Sequence, residues 1–290
     1  MREQWCSIIR ASGVPILMML AVGAHAGAPV FVSASATSFD RPHDVVLSVD
    51  GKHLYVADIG NDVVKVLDAD TLATVGEIGR GELDNPHDVA LDARGRLLVA
   101  DTGNDRIAIY AIDGTKGKLA GTLSGRLRSP EGVVADGEQR VYATSAGADN
   151  VVLFVDGKVA AERRDLGLRR PHDIDIDARG LLHIVDPGNN RIVVVDRDLM
   201  PVRVLAGSPF DFNEPKYLAF DEAGRLYVAD EHNHQVKIFD RDYRLLWTIG
   251  TGRSGKDPGM LRKPEGVAAR GGRVWIADTY NDRIVLYRLP

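Results

Sequence analysis

The sequence predicts an all-β fold, a six-bladed β-propeller, from three observations. A segment of about 28 residues recurs six times in the 290-residue chain, with its proline at position 42, 86, 130, 171, 215 or 264. Each period holds four short runs rich in Val, Ile and Leu, separated by the Gly, Asn and Asp residues of hairpin turns. Four strands in a period of roughly 40–50 residues are typical of a propeller blade.

The two ends of the repeat array favour a closed ring. In the second repeat the pattern predicts strands at 88–91, 96–100, 106–110 and 118–123, whereas the sixth repeat reaches the C-terminus after its third strand. A spare β run at residues 29–33 precedes the first repeat and can supply the missing strand. We therefore expect residues 27–290 to form a single domain, with the N-terminal strand completing the last blade and leaving no open sheet edge.

The first 26 residues have the features of a signal peptide. Arg2 and Arg10 precede an apolar run at 14–22, and small residues ending at Ala26 form a cleavage site. The apolar run is too short to span a bilayer. We expect export to the periplasm or the exterior, with no membrane span after cleavage. Cys6, the one cysteine, would be removed with the signal, so the mature protein would have no disulfide.

The charge balance restricts the partners. The chain carries 36 Lys and Arg against 41 Asp and Glu, a net charge of −5, which is not the basic footprint of a nucleic-acid binder. The sequence contains no Gly-x-Ser-x-Gly nucleophile motif and no phosphate-binding glycine loop. We expect a monomer that binds a peptide, a protein or a small anionic ligand.

The residues after the repeat prolines form the candidate site. The innermost strand of each blade lines the channel, so these residues form a ring at one mouth, where the loops between the second and third strands also open. In blade order the ring contains His43-Asp44, His87-Asp88, Glu131-Gly132, His172-Asp173, Lys216-Tyr217 and Glu265-Gly266. The three histidines are candidate ligands of a divalent metal, zinc or calcium. Alternatively these are ordinary repeat positions, and each aspartate binds local backbone amides.

The six segments, for example LDNPHDVALDARGRLLVADTGNDRIAIY from Leu83, resemble the NHL repeat. That pattern is a proline, an apolar strand, a glycine turn, and an apolar run that ends in Asp, Asn and Arg. The resemblance covers nearly the whole mature chain and implies a propeller. Propellers of this kind include amidating lyases, lactonases and proteins that only bind partners, so the fold does not decide the function.

The Pro-His pairs are most similar to the peptidyl-hydroxyglycine amidating lyases, which bind zinc through histidines after the repeat proline. The resemblance implies that His43, His87 and His172 hold the metal. It also implies a catalytic base in a loop between the second and third strands, a position that Tyr280 occupies; Glu131 is the other candidate base. Alternatively, Tyr280 is a loop aromatic that covers its blade. The substrate-binding arginine that these lyases place after the strand-ending aspartate is absent from this sequence.

A lactone hydrolase is a further alternative. A calcium ion in the channel would activate a lactone carbonyl, as in the lactonases that share the repeat. Oxygen ligands for it could come from Asp44, Asp88, Glu131, Asp173 and Glu265.

Basic residues near the prolines suggest an anionic ligand. Arg128 and Arg170 directly or closely precede a proline, and Lys216 joins the ring. Arginine binds carboxylates through two parallel hydrogen bonds, so a peptide carboxylate is one such ligand. Tyr217 and Glu265 complete the predicted ligand-binding set.

The positions whose residue differs from one repeat to another carry most of the functional information. The Asp, Asn and Arg residues of the loops repeat too regularly to form one site, and we interpret them as structural. The fifth repeat departs from this pattern and adds His232 and His234. We predict an exported propeller that binds a ligand or a protein or peptide partner on its loop face, with a metal-dependent lyase and a lactone hydrolase as alternatives.

Overall fold

A computed structural model describes residues 27–137 and 139–290 of the chain. The predicted signal peptide lies outside these residues. Within them, 24 strands form six four-stranded antiparallel sheets, and the innermost strands surround a central channel. The predicted six-bladed propeller is confirmed. The described residues contain no helix with the length and apolar character that a membrane crossing requires.

Each blade runs from an inner strand at the channel to an outer edge strand. The strands before and in the first three blades are β1 (Val30–Ala34), β2 (Pro42–Leu47), β3 (His53–Asp58), β4 (Val63–Asp68), β5 (Thr74–Ile78), β6 (Pro86–Leu91), β7 (Leu97–Asp101), β8 (Arg106–Asp113), β9 (Lys116–Leu123), β10 (Pro130–Asp136), β11 (Arg140–Ser145), β12 (Asn150–Val155) and β13 (Lys158–Arg163). Those of the last three are β14 (Ile174–Ile176), β15 (Leu182–Asp186), β16 (Arg191–Val195), β17 (Pro201–Leu205), β18 (Pro215–Phe220), β19 (Leu226–Asp230), β20 (Gln235–Phe239), β21 (Leu245–Ile249), β22 (Val267–Arg270), β23 (Arg273–Asp278) and β24 (Arg283–Arg288).

A short 3₁₀ turn joins the second and third strands in all blades but the third. These turns span Ile59–Asn61, Thr102–Asn104, Pro187–Asn189, Glu231–Asn233 and Thr279–Asn281. The residue that follows each turn has a positive φ; Asp105, for example, has a φ of 52°. Asp and Asn tolerate this left-handed conformation better than other non-glycine residues, which explains their recurrence here. His234 occupies the position in the fifth blade, with a φ of 54°.

In five blades, the aspartate at the end of the second strand binds the adjoining loop to its own blade through hydrogen bonds. In the second blade, Oδ1 of Asp101 accepts the backbone N–H of Asp84 at 2.8 Å, and Oδ2 accepts Nε of Arg106 at 2.6 Å. The amide of Asn104 also donates to this carboxylate. The third blade uses a hydroxyl instead, because Oγ of Ser145 accepts the N–H of Arg128 at 2.6 Å. The repeated loop residues therefore have structural roles.

The N-terminal strand closes the ring, as the sequence predicts. Strand β1 pairs with β24, and the sheet order is β1-β24-β23-β22. The ring of Phe31 contacts that of Tyr287 edge to face, with centroids 5.6 Å apart. The last blade thus takes its outer strand, β1, from the segment that precedes the first blade.

The aspartates of the Pro-His-Asp sequences join neighbouring blades. Oδ2 of Asp88 accepts the backbone N–H of Val133 at 2.5 Å, and Oδ2 of Asp173 accepts that of Leu218 at 2.7 Å. In both cases the donor lies on the inner strand of the following blade. Since the inner strand has no neighbouring strand on its channel side, these bonds satisfy amides that would otherwise be buried without an acceptor.

Candidate functional site

A cavity of about 200 Å³ opens at the channel mouth, where the inner strands begin. The residues that directly follow the repeat prolines form most of its lining. The rest comes from the residue before Pro171 and from three of the loops between second and third strands. The lining residues are His43, His87, Glu131, Arg170, His172, Pro187, Lys216, Glu231, Glu265 and Tyr280.

The three ring histidines meet at the floor of this cavity, and each is less than a tenth exposed. The ring centroids of His43 and His87 are 4.8 Å apart, and those of His87 and His172 are 6.0 Å apart. His43 and His172 belong to opposite blades, and their rings lie nearly parallel with centroids 6.5 Å apart. Residues separated by up to 129 positions in the chain are therefore gathered in one small volume.

Each of two histidines is paired with a glutamate from the preceding blade. Oε2 of Glu265 lies 3.2 Å from Nε2 of His43, and Oε2 of Glu131 lies 3.0 Å from Nε2 of His172. The two pairs are three blades apart and thus face each other across the channel, related by an approximate twofold axis. All four side chains are at least four-fifths buried.

The glycines after these glutamates allow the blades to approach each other. A Cβ on Gly132 would lie 2.5 Å from the carbonyl oxygen of His172 and 2.8 Å from Cα of Asp173. A Cβ on Gly266 would collide in the same way with the carbonyl oxygen of His43. The sequence Pro-Glu-Gly therefore occurs in each blade that precedes a glutamate-paired Pro-His-Asp blade: glycine provides the close approach, and glutamate meets the next histidine.

Burial shifts the pKa of these groups toward their neutral forms. Burial lowers the pKa of His43 to about 4 and that of His87 to about 3. It also lowers the pKa of His172 well below its usual value. Burial raises the pKa of Glu131 to about 7 and that of Glu265 to about 8, because a carboxylate loses its hydration there.

The hydrogen bonds of the rings indicate their tautomers. Nδ1 of His43 lies 3.0 Å from the carbonyl oxygen of Arg41, and Nδ1 of His87 lies 2.9 Å from that of Asn85. A carbonyl oxygen accepts hydrogen bonds, so each Nδ1 carries a proton, and in a neutral ring Nε2 is the acceptor. Nδ1 of His172 is buried, with no hydrogen-bond partner among the described residues.

Lys216 is the ring's cation, and it shares its partner with a second lysine. Its ammonium lies 3.3 Å from Oε2 of Glu231, while that of Lys263 lies 3.0 Å from Oε1 of the same carboxylate. Burial lowers the pKa of Lys216, but the surrounding carboxylates, led by Glu265 and Glu231, together raise it more, so the pKa is above its usual value. Glu231 and Pro187 line the cavity although the sequence analysis did not select them. The signal for Glu231 was its position after a strand-ending aspartate, where other blades have uncharged residues.

Tyr217 lies beneath the cavity rather than in its wall. Its side chain is fully buried, and its hydroxyl donates to the carbonyl oxygen of His87, in the opposite blade, at 2.9 Å. Lys216 before it lines the mouth, and Leu218 after it lines a second cavity of about 500 Å³ lower in the channel. Tyr217 therefore crosses the channel between the two cavities. This placement gives it no ligand-facing surface.

The other predicted site residues separate into two groups. The structure brings Glu131, Arg170, Glu265 and Tyr280 to the cavity, and the ammonium of Lys263 lies 4.9 Å from the ring centroid of Tyr280. Arg128 is exposed and lies outside the cavity lining.

The described residues contain one set of three side chains whose metal-ligating atoms all lie within 4.8 Å of one another: Glu214, Glu231 and His232. The ammonium of Lys263 lies 3.0 Å from both Nε2 of His232 and Oε1 of Glu231, so a lysine cation already occupies this corner. His43, His87 and His172 do not form such a set. A metal held by all three would require the ring nitrogens to move closer together.

The carboxylates proposed for calcium have other partners. Asp44 and Asp88 share a hydrogen bond, and Asp44 accepts the N–H groups of Val45 and Val89. Asp173 accepts two backbone N–H groups. These contacts support the alternative interpretation, in which the aspartates bind backbone amides.

Comparisons with known proteins agree with this fold. The NHL repeat family model matches residues 83–110 and 212–239. A search of curated proteins finds no match to the chain. The chain is similar in structure to virginiamycin B lyase from Staphylococcus aureus, with a TM-score of 0.64 and 12% identity over 88% of this chain and 98% of that one.

Two further solved structures are similar. One is a catalytically inactive variant of the Staphylococcus aureus lyase with quinupristin, with a TM-score of 0.63 and 13% identity over 87% of this chain and 82% of that one. The other is a streptogramin B lyase, with a TM-score of 0.61 and 14% identity over 90% of this chain and 86% of that one. At these identities the likeness concerns the fold alone.

Proposed function

Since the chain is a six-bladed propeller that contains NHL repeats, we propose that it binds a small polar ligand in the cavity at the channel mouth. One observation carries the proposal: buried histidines and glutamates with shifted pKa values line a concave site at the centre of the ring. Structural positions in a repeat protein recur from blade to blade, whereas these residues differ between blades. Concave sites with convergent polar groups and perturbed pKa values are typical of ligand-binding and catalytic centres.

Thermal unfolding in the presence of small polar compounds tests this proposal. A compound that binds only the folded protein raises its melting temperature, and the rise grows with the ratio of the free ligand concentration to Kd. We expect the ligand-induced rise to disappear in His172→Ala, which alters the cavity, and to persist in Arg128→Ala, which removes a basic side chain outside it. A rise that is the same in both variants would place binding elsewhere and refute the proposal.

A lyase is the second candidate, and the paired glutamates and histidines favour it. In an elimination, one group removes a proton from carbon and another protonates the departing atom. The Glu131–His172 and Glu265–His43 pairs lie on opposite sides of a small cavity and could take these two roles. Tyr280, which also lines the cavity, is an alternative base. The similarity in fold to lyase propellers is compatible with this candidate function.

A divalent metal would be held in this scheme by His43, His87 and His172, and it would supply a Lewis acid that polarises a substrate oxygen. The carbonyl bonds to Nδ1 of His43 and His87 are of the kind that orients metal-binding histidines and leaves Nε2 as the ligand. For His43 this would require Nε2 to give up its contact with Glu265. Elemental analysis of the purified protein tests the metal. We expect stoichiometric zinc or another divalent ion that is lost in the triple alanine variant; folded protein without metal would refute a metal-dependent reaction.

We further propose that the protein acts outside the cytoplasm as a monomer. The features of residues 1–26 support export, with cleavage after Ala26. Amino-terminal sequencing of the protein recovered from cell fractions should give Gly27 as the first residue. A full-length chain in the cytoplasm would contradict this proposal.

A further inference from the structure

The ammonium of Lys216 has donors that the protein does not use. Its side chain is 17% exposed and forms part of the cavity wall. An ammonium group has three N–H donors. Among the described residues its one partner is Oε2 of Glu231, at the rather long distance of 3.3 Å. A cation with so little contact to water requires further acceptors, and the cavity is where they can enter.

The three groups in contact at Lys216, which are its own ammonium, that of Lys263 and the carboxylate of Glu231, together carry one surplus positive charge. Both oxygens of Glu231 are engaged, one by Lys216 and the other by Lys263, so two ammonium groups share one carboxylate. Arg170 lines the same cavity from the preceding blade; its side chain is 63% exposed, and its guanidinium makes a 3.5 Å contact with Glu214. A ligand that enters here therefore meets one incompletely paired ammonium and one exposed guanidinium.

We propose that the ligand of the mouth cavity carries a carboxylate, and that Lys216 binds it, an inference that rests on the proposed ligand-binding function. A single negative charge balances the single surplus positive charge. A dianionic group such as phosphate would exceed this single positive charge by one. The volume of about 200 Å³ equals about seven water molecules at roughly 30 Å³ each, which suits a carboxylate with a short apolar or polar stem.

Lys216 also explains the asymmetry of the ring. At the position where other blades have histidine or glutamate, the fifth blade has the cation. The fifth blade lies between the blades of His172 and Glu265, so Lys216 breaks the pseudo-twofold symmetry of the two glutamate–histidine pairs. Lys216 then determines specificity for a carboxylate over a neutral group, and the remainder of the ligand faces the histidines.

Calorimetric titration tests the proposal with four probes: propionate, propionamide, an N-acetylated dipeptide with a free C-terminus, and the same dipeptide as its amide. We expect propionate or the free dipeptide to bind, and its amide to bind at least about tenfold more weakly, as expected for losing a charge-assisted hydrogen bond. Binding of propionate indicates a free carboxylic acid as the ligand class, and binding of the dipeptide alone indicates a peptide C-terminus.

Two lysine variants provide the matched comparison. Lys216→Met and Lys263→Met each remove one positive charge and one contact to Glu231, but only Lys216 lines the cavity. We expect Lys216→Met to weaken carboxylate binding at least about tenfold and Lys263→Met by less than about threefold. If Lys216→Met does not fold, judged by its thermal transition, Lys216→Arg replaces it and should retain binding of the carboxylate over the amide.

The outcomes separate this inference from the function on which it rests. Equal binding of acid and amide, equal effects of the two lysine variants, or binding of neither carboxylate would overturn the inference. If neutral compounds still stabilise the protein in a manner that depends on His172, the proposal that a ligand binds at the mouth is retained. The inference that this ligand carries a carboxylate is then wrong. If no compound does so, the proposed function itself fails.

Discussion

The carboxyl of Glu265 and the imidazole of His43, which belong to the last and first blades, meet at 3.2 Å in the wall of the channel mouth. Nδ1 of the same ring donates to the carbonyl oxygen of Arg41, so Nε2 of the neutral imidazole is an acceptor. A protonated carboxyl of Glu265 could donate to this acceptor across the 3.2 Å contact. The raised pKa of Glu265, about 8, agrees with this assignment.

The stability of the protein should therefore depend on pH through Glu265. Its pKa is higher in the folded protein than in the unfolded chain, so its contribution is complete below pH 4.5 and is lost as the pH rises through about 8. The loss approaches about 1.4 kcal/mol for each unit of pKa difference. Glutamine keeps the shape and an N–H donor but cannot ionise.

Urea unfolding of wild type and Glu265→Gln between pH 5 and 9 measures this effect. We expect the variant to lose less stability than wild type across that range. Glu131→Gln is the matched variant, and its effect should be confined to lower pH, because the pKa of Glu131 is about 7. Parallel stability curves for wild type and Glu265→Gln would show that Glu265 is already ionised in the folded protein.

Close approach of the blades at Gly132 should make this position intolerant of a side chain. We expect Gly132→Ala to destabilise the protein by about 1–3 kcal/mol, because the new Cβ would overlap the backbone of His172 and Asp173. Gly121→Ala is the control, since a Cβ there meets no atom within 4 Å. Chemical denaturation measures both. Equal stability of the two variants would mean that the blades can separate without cost.

Closure of the ring by the N-terminal strand should contribute to stability. Phe31→Ala removes the contact with Tyr287, and we expect a loss of about 2 kcal/mol because Phe31 is only partly buried. Val30→Ala is the control on the same strand, since Val30 is 62% exposed. Thermal unfolding of both variants measures the difference. A Phe31→Ala variant as stable as the control would indicate that strand β1 does not hold the last blade.

The repeat pattern predicts most of the fold because strand periodicity and turn residues are local properties. The four strands of the second repeat agree with the prediction to within three residues at each end, and the pairing of β1 with β24 follows from the incomplete sixth repeat. The ring of residues after the prolines could also be predicted from the sequence, because equivalent positions in a closed repeat must face the same channel.

The pairing within the ring could not be predicted from the residues alone. Glu131 meets His172 because Gly132 lets the next blade approach, and that distance is a tertiary property. The buried position of Tyr217 depends on the free space in the channel centre. Arg128, selected by its charge, faces solvent because the residue two before the proline lies outside the mouth.

A crystal structure of the protein with the compound that stabilises it most tests directly whether the mouth cavity is the ligand-binding site. We predict density for that compound in the mouth cavity, in contact with His172 and Glu131 and with an acceptor oxygen near the ammonium of Lys216. Density for the compound at the lower channel, at an outer strand, or between copies of the chain, with the mouth filled only by solvent, would contradict it.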